Sequence, residues 1–207
     1  MMAADPPAAD QGAADQARAE GLVTRFHHPV TAFARFVSVQ GTALPPPFAE
    51  LLDHASHMTV VMERFYGGPV SVEVLAVHDD DGGSAAGRAW YEREILLHSS
   101  GGRIVQHGIV RIDLERVSAQ VSDEIRTRRA PLGRVLIAAG MLLEVQRVGL
   151  LRVDIGPQLQ AILGPEGKEG MPARETFGRV AEIAVDGVPA VELLEIVAPG
   201  PLPKVLR

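Results

Sequence analysis

The segment 69–78, PVSVEVLAVH, alternates apolar and polar residues, and this period of two limits the possible folds more than any other pattern in the chain. Successive side chains of a β-strand point to opposite faces, so the alternation predicts a strand with one buried face. Asp186 and Gly187 form a residue pair preferred in tight hairpins, which indicates antiparallel pairing of the strands beside them. Further strands are predicted at about 89–98, 103–113, 147–155, 178–185 and 188–197.

Four other segments have the spacing of helices. Apolar residues recur at three- and four-residue intervals over 48–55, 58–65 and 117–125, and Pro131 opens a further helix that ends near Gly140. Hairpin-linked strands with a few helices, without internal repeats or regular strand–helix alternation, favour the α+β class. We therefore predict a single antiparallel sheet with helices covering one face.

The composition excludes several classes of function. The chain has 207 residues, which is enough for one compact domain with a full-sized core. It contains no cysteine, which excludes disulfide scaffolds, thiol catalysis and cysteine-ligated metal centres. Its net charge of −6 is opposite to the basic balance of nucleic-acid-binding proteins, and no apolar run is long enough for a membrane span. We therefore expect a cytoplasmic protein whose partners are neither nucleic acids nor membranes.

Three regions are predicted along the chain. The first twenty residues carry almost no large apolar side chain and are expected to be disordered. Asp5, Asp10 and Asp15 argue against a cleaved signal or transit peptide in this stretch. The next region contains three phenylalanines that require cover, so it is expected to be ordered. The regions are a tail over 1–20, a lead-in segment over 21–47 and a main domain over 48–207.

Two charged residues fall where a buried apolar side chain is expected. Arg93 lies on the more apolar face of its predicted strand, beside Ile95. Glu195 lies on the apolar face of the last strand, beside Leu193. A buried charge is costly unless an opposite charge or a ligand meets it. The pattern leaves two alternatives open: Arg93 and Glu195 pair with each other, or both line a cavity for an anionic, hydroxylated ligand.

Three further groups are weaker candidates. His54 and His57 are three residues apart on one helix face, but no third ligand with matching spacing follows, so a metal site is not expected. The aspartates at 79–81 lack the spacing of a calcium loop and are expected in a solvated hairpin loop. A solvent-facing position on a polar strand face is predicted for His107, Arg111 and Asp113.

Four short stretches, taken in their order and spacing, resemble the chorismate pyruvate-lyase family, the 4-hydroxybenzoate synthases. The resemblance covers about residues 48–199, and each stretch is weak by itself. The matching stretches are LLDHASHMT at 51–59, YEREILL at 91–97, APLGR at 130–134 and LLEIVAP at 193–199.

The resemblance implies a fold and a set of site residues. In this family a small antiparallel sheet with helices encloses an aromatic product beneath flap-like helical segments, and the Gly- and Pro-rich residues 156–172 are predicted to form a long loop or flap. Arg93 is expected to hold the ring carboxylate, together with backbone amides at Met58 and Leu132. Glu195 is expected to contact the ring hydroxyl.

The reaction implied is the conversion of chorismate to 4-hydroxybenzoate and pyruvate without a cofactor. The enolpyruvyl ether leaves, a ring proton is lost, and aromatisation drives the elimination. Arg93 and Glu195 are the expected catalytic residues, because this reaction mainly requires the enzyme to orient the substrate and stabilise shifting charge. The sequence leaves open whether Glu195 transfers a proton or only orients the ring.

Two departures from the family pattern leave open which group holds the enolpyruvyl carboxylate, and a second function stands beside the lyase as an alternative. Some members carry a second arginine on the strand after REILL, where this chain has Gly108 or Ile109, and the serine of the S-M-T stretch is His57 here. The alternative is a non-catalytic protein that binds an aromatic carboxylate, since effector domains of bacterial transcription regulators resemble this fold. Such regulators carry a winged-helix domain upstream, which is not expected here because 47 residues precede Phe48.

Overall fold

The computed structural model describes residues 8–79, 90–164 and 173–200, and within these ranges seven strands form one antiparallel sheet. The spatial order of the strands is β1-β5-β6-β7-β4-β3-β2. The strands are β1 (Ala34–Val39), β2 (Ser71–Asp79), β3 (Trp90–His98), β4 (Ile104–Asp113), β5 (Leu143–Ile155), β6 (Glu175–Val185) and β7 (Val188–Val197).

The described residues also form helices, which makes the fold α+β as predicted. Gly67 ends the fourth helix with a φ of 69°, a left-handed conformation in which glycine has no Cβ penalty. The helices are α1 (Ala8–Val23), α2 (Val30–Phe33), α3 (Pro46–Leu52), α4 (Met58–Tyr66), α5 (Ala119–Arg126), α6 (Leu132–Ala138) and α7 (Pro157–Leu163). No helix among the described residues is both long and apolar enough to cross a membrane.

The hairpin between β6 and β7 sets the register of the last two strands. Asp186 and Gly187 both have positive φ, 51° and 81°, which matches the backbone of a tight hairpin turn. A register shift at Ile183 and Ala184 then moves the pairing by one residue. A one-residue shift exchanges the faces that side chains occupy, so this irregularity decides which residues of the two strands meet.

Helices lie on both faces of the sheet, not on one face as predicted. The α3, α4, α5 and α6 helices pack on one face, and α1, α2 and α7 pack on the other. Strand β3, which lies between β4 and the edge strand β2, is therefore buried on both sides along most of its length, including Glu92 and Glu94. The alternation of apolar and polar residues in β2 predicted that one face of the sheet is exposed to solvent. β2 is an edge strand, and the interior strands do not share its alternating burial.

The prediction of a disordered tail over residues 1–20 is wrong for residues 8–20, which belong to α1. Ala19, Leu22 and Val23 are buried in the core on the α1 face of the sheet. The apolar residues that anchor the helix lie mostly after residue 20. Because alanine is the best helix former, the low hydrophobicity of residues 8–20 did not indicate disorder. The lead-in segment also belongs to the sheet, since β1 pairs with β5.

Part of the predicted flap over 156–172 is helical. Residues Pro157–Leu163 form α7, with Leu159 and Leu163 buried against the same core as α1. This helix packs against α2 and β1, on the face of the sheet opposite Arg93. Residues 165–172 lie outside the described residues, as do 1–7, 201–207 and the predicted hairpin loop after Asp79.

Candidate functional site

A cavity lies between the sheet and the first turns of α4 and α6. Its volume is about 50 Å³, which is room for one or two water molecules. Three of the four residues expected at the site line it, namely Met58, Leu132 and Glu195. The other lining residues are His57, Thr59, Ile95, Leu97, Gln106, Val110, Pro131, Gly133, Val145, Arg179, Ile183 and Leu193.

Met58 and Leu132 occupy equivalent positions, because each is the first residue of its helix. The preceding residues, His57 and Pro131, provide no side-chain cap to α4 or α6. The two helix starts are close together, since a Cβ built on Gly133 would lie 3.7 Å from Thr59 Oγ1. The first amide groups of a helix have no partner within the helix, so both helix starts bring uncapped donors to the cavity wall.

Arg93 is buried next to this cavity, with 1% of its surface exposed. Its register partner Val110 lines the cavity, and its Nη2 makes a long hydrogen bond of 3.4 Å to the carbonyl oxygen of Ala130. Its Nε and Nη1 atoms have no hydrogen-bond partner among the described residues. Burial lowers the pKa of Arg93, and the neighbouring Tyr91 acts in the opposite direction. A buried guanidinium with two unpaired nitrogens is costly unless an anionic group completes it.

Glu195 pairs with Arg179 and not with Arg93. Arg179 Nε donates to Glu195 Oε2 at 2.7 Å, and the two residues are register partners on β6 and β7. No ion pair joins Arg93 and Glu195 within the described part of the chain. The alternative in which Arg93 and Glu195 form a structural pair is therefore wrong. Glu195 bonds to Arg179 in the cavity wall, and Arg93 bonds to the carbonyl oxygen of Ala130 beside the cavity.

Arg179 also holds the turn between α3 and α4 against the sheet. It is 1% exposed, and its Nη1 donates to the carbonyl oxygen of His54 at 2.9 Å, while Nη2 donates to that of Ser56 at 3.0 Å. Sequence reasoning missed this residue, although the signal was the one that identified Arg93. In β6, Arg179 shares its face with Phe177 and Ala181, so a cation again interrupts an apolar row.

His54 and His57 lie beside this ion pair, and the surroundings favour their neutral forms. Burial lowers the pKa of His54, and the charge of Arg179 lowers it further. Burial also lowers the pKa of His57, where Glu195 opposes and Arg179 adds to the effect. His54 Nε2 donates to the Leu51 carbonyl at 2.8 Å, so its Nδ1 accepts from Arg179 at 3.1 Å. The His54 side chain is thus part of a hydrogen-bonded turn. No cluster of three or more metal-binding side chains occurs among the described residues.

The predicted solvent-facing position of His107 and Arg111 is wrong, because α1 and the residues after it cover this face. His107 Nε2 lies 2.7 Å from Glu94 Oε1, which also meets His27 Nε2 at 2.6 Å. Arg111 pairs with Glu92 at 2.9 Å and lies over the ring of Trp90. Asp113 is also buried, and its Oδ1 accepts from the amide of Glu115. These groups belong to the packing of the α1 face, not to the cavity.

Comparisons with known proteins found similar folds among solved structures. No family model matches the chain, and no curated protein matches it. PhnF from Mycobacterium smegmatis is 15% identical with a TM-score of 0.49, over 69% of this chain and 64% of that one. The effector domain of the same protein is 14% identical with a TM-score of 0.47, over 69% and 88% of the two chains. A GntR-family transcriptional regulator from Enterococcus faecalis V583 is 12% identical with a TM-score of 0.43, over 62% and 93%.

These likenesses concern the fold alone. This chain spans less than two thirds of the length of the full PhnF chain that it matches.

Proposed function

We propose that the cavity binds a small aromatic carboxylate, with Arg93 as the anchor of the carboxylate group. The observation that carries this proposal is the unpaired state of the buried Arg93 guanidinium, whose Nε and Nη1 have no partner among the described residues. A planar guanidinium offers two parallel donors that match the two oxygens of a carboxylate. Binding such a ligand would remove a cost that the folded protein otherwise carries.

The other groups of the cavity suit the remainder of such a ligand. Apolar side chains such as Val110 and Leu193 line the cavity and would contact an aromatic ring. Glu195 would accept a hydrogen bond from a ring hydroxyl, while the amides at Met58 and Leu132 would assist Arg93. Arg93 and Glu195 share one face of the sheet, two strands and two residues apart, so their Cα atoms are about 12 Å from each other.

The cavity must widen to admit this ligand. A volume of about 50 Å³ is smaller than a benzene ring with two substituents. The enclosing segments are 57–59 and 131–133, at the starts of two short helices. We therefore expect binding to separate these helix starts from the sheet.

Calorimetric titration with 4-hydroxybenzoate tests the proposal. The wild-type protein is expected to bind one equivalent, and Arg93→Met is expected to weaken binding at least tenfold because the charged hydrogen bonds are lost. Arg35→Met is the matched control, since Arg35 is exposed on β1 and does not line the cavity. Equal affinity in the wild type and Arg93→Met, or no binding by the wild type, would contradict the proposal.

Chorismate pyruvate-lyase activity is the second candidate function. The observation in its favour is that Met58, Leu132 and Glu195, taken from three separate family-like stretches, line a single cavity beside Arg93. In this reaction the bond between the ring carbon and the ether oxygen breaks, and its electron pair leaves with enolpyruvate. The ring loses one proton and becomes aromatic 4-hydroxybenzoate, and the enolpyruvate gains one proton and becomes pyruvate. Glu195, held by Arg179, would orient the ring hydroxyl.

The distribution of cations favours binding of a monocarboxylate over this reaction. Chorismate carries two carboxylates, and each would require a cation with free donors. Arg179 is the cation that lines the cavity, but its Nε, Nη1 and Nη2 atoms already bond to Glu195, His54 and Ser56. Among the described residues at this cavity, Arg93 is thus the cation that has hydrogen-bond donors without a partner.

A turnover assay separates the two functions. Purified protein is mixed with chorismate without added metal or cofactor, and 4-hydroxybenzoate and pyruvate are followed by chromatography. Equimolar products above the spontaneous rate, abolished by Arg93→Met but not by Arg35→Met, would establish the lyase. Binding of 4-hydroxybenzoate without turnover of chorismate would establish the non-catalytic binder.

A further inference from the structure

Arg179 is a buried charge in the cavity wall that the proposed function does not use directly. It lines the cavity, it is 1% exposed, and each of its three guanidinium nitrogens donates to a different acceptor. Two of these acceptors are carbonyl oxygens of the α3–α4 turn, and the third is Glu195 Oε2. Arg179 therefore joins the residue expected to meet the ring hydroxyl to the turn that closes one side of the cavity.

The ion pair restricts what Glu195 offers to a ligand. A carboxylate paired with a guanidinium accepts hydrogen bonds and donates none. The bond from Arg179 Nε occupies Oε2 and leaves Oε1 for a ligand. A ring substituent at this end of the cavity is favourable when it is a donor, and an ether oxygen or a bare hydrogen leaves Oε1 without a partner.

We propose that Arg179 is a positioning residue that determines specificity: it fixes Glu195 as an acceptor, and so selects an aromatic carboxylate that carries a hydroxyl opposite its carboxylate group. The inference rests on the proposed binding function. It assigns to Arg179 the discrimination of 4-hydroxyaryl carboxylates from aryl carboxylates without a donor.

The test compares three ligands on the wild type and two variants by calorimetric titration. The probes are 4-hydroxybenzoate, benzoate and 4-methoxybenzoate. The wild type is expected to bind 4-hydroxybenzoate about 10- to 100-fold more tightly than benzoate, the range for one hydrogen bond to a charged group. In Arg179→Gln this ratio is expected to fall to about threefold or less, and Arg179→Lys is expected to restore it in part because it keeps the charge beside Glu195.

The ratio distinguishes positioning from a structural role. If Arg179 only supports the turn, Arg179→Gln weakens all three ligands by the same factor, and the unchanged ratio overturns the inference. If Arg179→Gln does not fold, the double variant Arg179→Met with Glu195→Leu removes both charges and leaves none unpaired. It is expected to bind benzoate and 4-hydroxybenzoate within about threefold of each other, and a wild-type ratio in it overturns the inference.

Failure of this inference is distinguishable from failure of the proposed function. A wild-type protein that binds benzoate and 4-hydroxybenzoate equally would overturn the specificity role of Arg179 and leave the Arg93 anchor intact. A wild-type protein that binds neither acid would overturn both.

Discussion

Arg179 Nε and Glu195 Oε2 lie 2.7 Å apart, on register partners of neighbouring strands, within the wall of the cavity that Arg93 adjoins. The pair meets because the register of β6 and β7 shifts by one residue near the hairpin. Without that shift Arg179 would lie opposite Leu194, whose side chain is in the core on the α1 face. One irregular position in the hairpin thus creates the ion pair of the candidate site.

Removing Arg93 is expected to weaken ligand binding without destabilising the protein. Two nitrogens of the buried Arg93 guanidinium have no partner among the described residues, which is costly in the folded state. Arg93→Met should therefore leave the free energy of unfolding unchanged or raise it by up to about 3 kcal/mol. Urea denaturation of the wild type and the variant measures this difference. A decrease in the free energy of unfolding by more than about 2 kcal/mol would mean that Arg93 has a structural partner. That result would contradict the assignment of Arg93 as the ligand anchor.

The Arg179–Glu195 pair is expected to behave in the opposite way. Both side chains are largely buried, with 1% and 13% exposed, so removing one partner leaves an uncompensated charge. Arg179→Met or Glu195→Leu alone should cost about 3–5 kcal/mol. The double variant should cost less than the two single losses added together, although it still loses the bonds from Arg179 to the carbonyl oxygens of His54 and Ser56. A thermodynamic cycle of the four proteins in urea gives the coupling energy, and additive losses would contradict a direct pair.

Stability should also depend on pH through Glu94 on the α1 face. Burial raises the pKa of Glu94, but hydrogen bonds from His107 and His27 outweigh it and hold the pKa below the usual value of 4.5. A depressed carboxylate pKa contributes stability that is present above about pH 4.5 and is lost as pH falls through the folded-state value. Glu94→Gln should therefore be less stable than the wild type at pH 7, and the difference in unfolding free energy should shrink towards pH 3. A difference that stays constant with pH would show that the carboxylate charge is not what matters.

A second pH effect is expected at the cavity. Burial lowers the pKa of His57 below 6.5, so the unfolded chain binds more protons than the native protein just below that pH. The stability associated with neutral His57 is present above about pH 6.5 and is lost as pH falls. The unfolding free energy of His57→Gln should change less between pH 7.5 and 5.5 than that of the wild type. Parallel changes in the two proteins would assign the pH dependence to other groups.

Most of the sheet could be predicted from the sequence, because strands with a period of two and hairpin pairs such as Asp186 and Gly187 are local signals. The covering of the second face could not be predicted in the same way. It depends on α1, whose polar and small residues suggested disorder. The buried side chains that hold α1 to the sheet include Leu22 and Val23. It also depends on long-range pairs such as His27 with Glu94, which have no local signature.

The candidate site could be predicted in part. Arg93 and Glu195 were identified because each interrupts an apolar strand face, and that signal needs only strand periodicity. The partner of Glu195 could not be derived, because the pairing with Arg179 depends on a one-residue register shift that the residue pattern does not encode. The closeness of Met58 and Leu132 depends on how two helices pack, which strand and helix periods do not specify.

A crystal structure of the protein with 4-hydroxybenzoate would show whether Arg93 and Glu195 hold the two ends of the ligand. In that structure we expect the ligand carboxylate to meet Arg93 Nε and Nη1 and the hydroxyl to meet Glu195. Segments 57–59 and 131–133 are expected to lie farther from the sheet, which admits the ring. A ligand that binds elsewhere, for example in the groove between α5 and α6 lined by Val121 and Val135, with Arg93 still unpaired, would contradict this expectation.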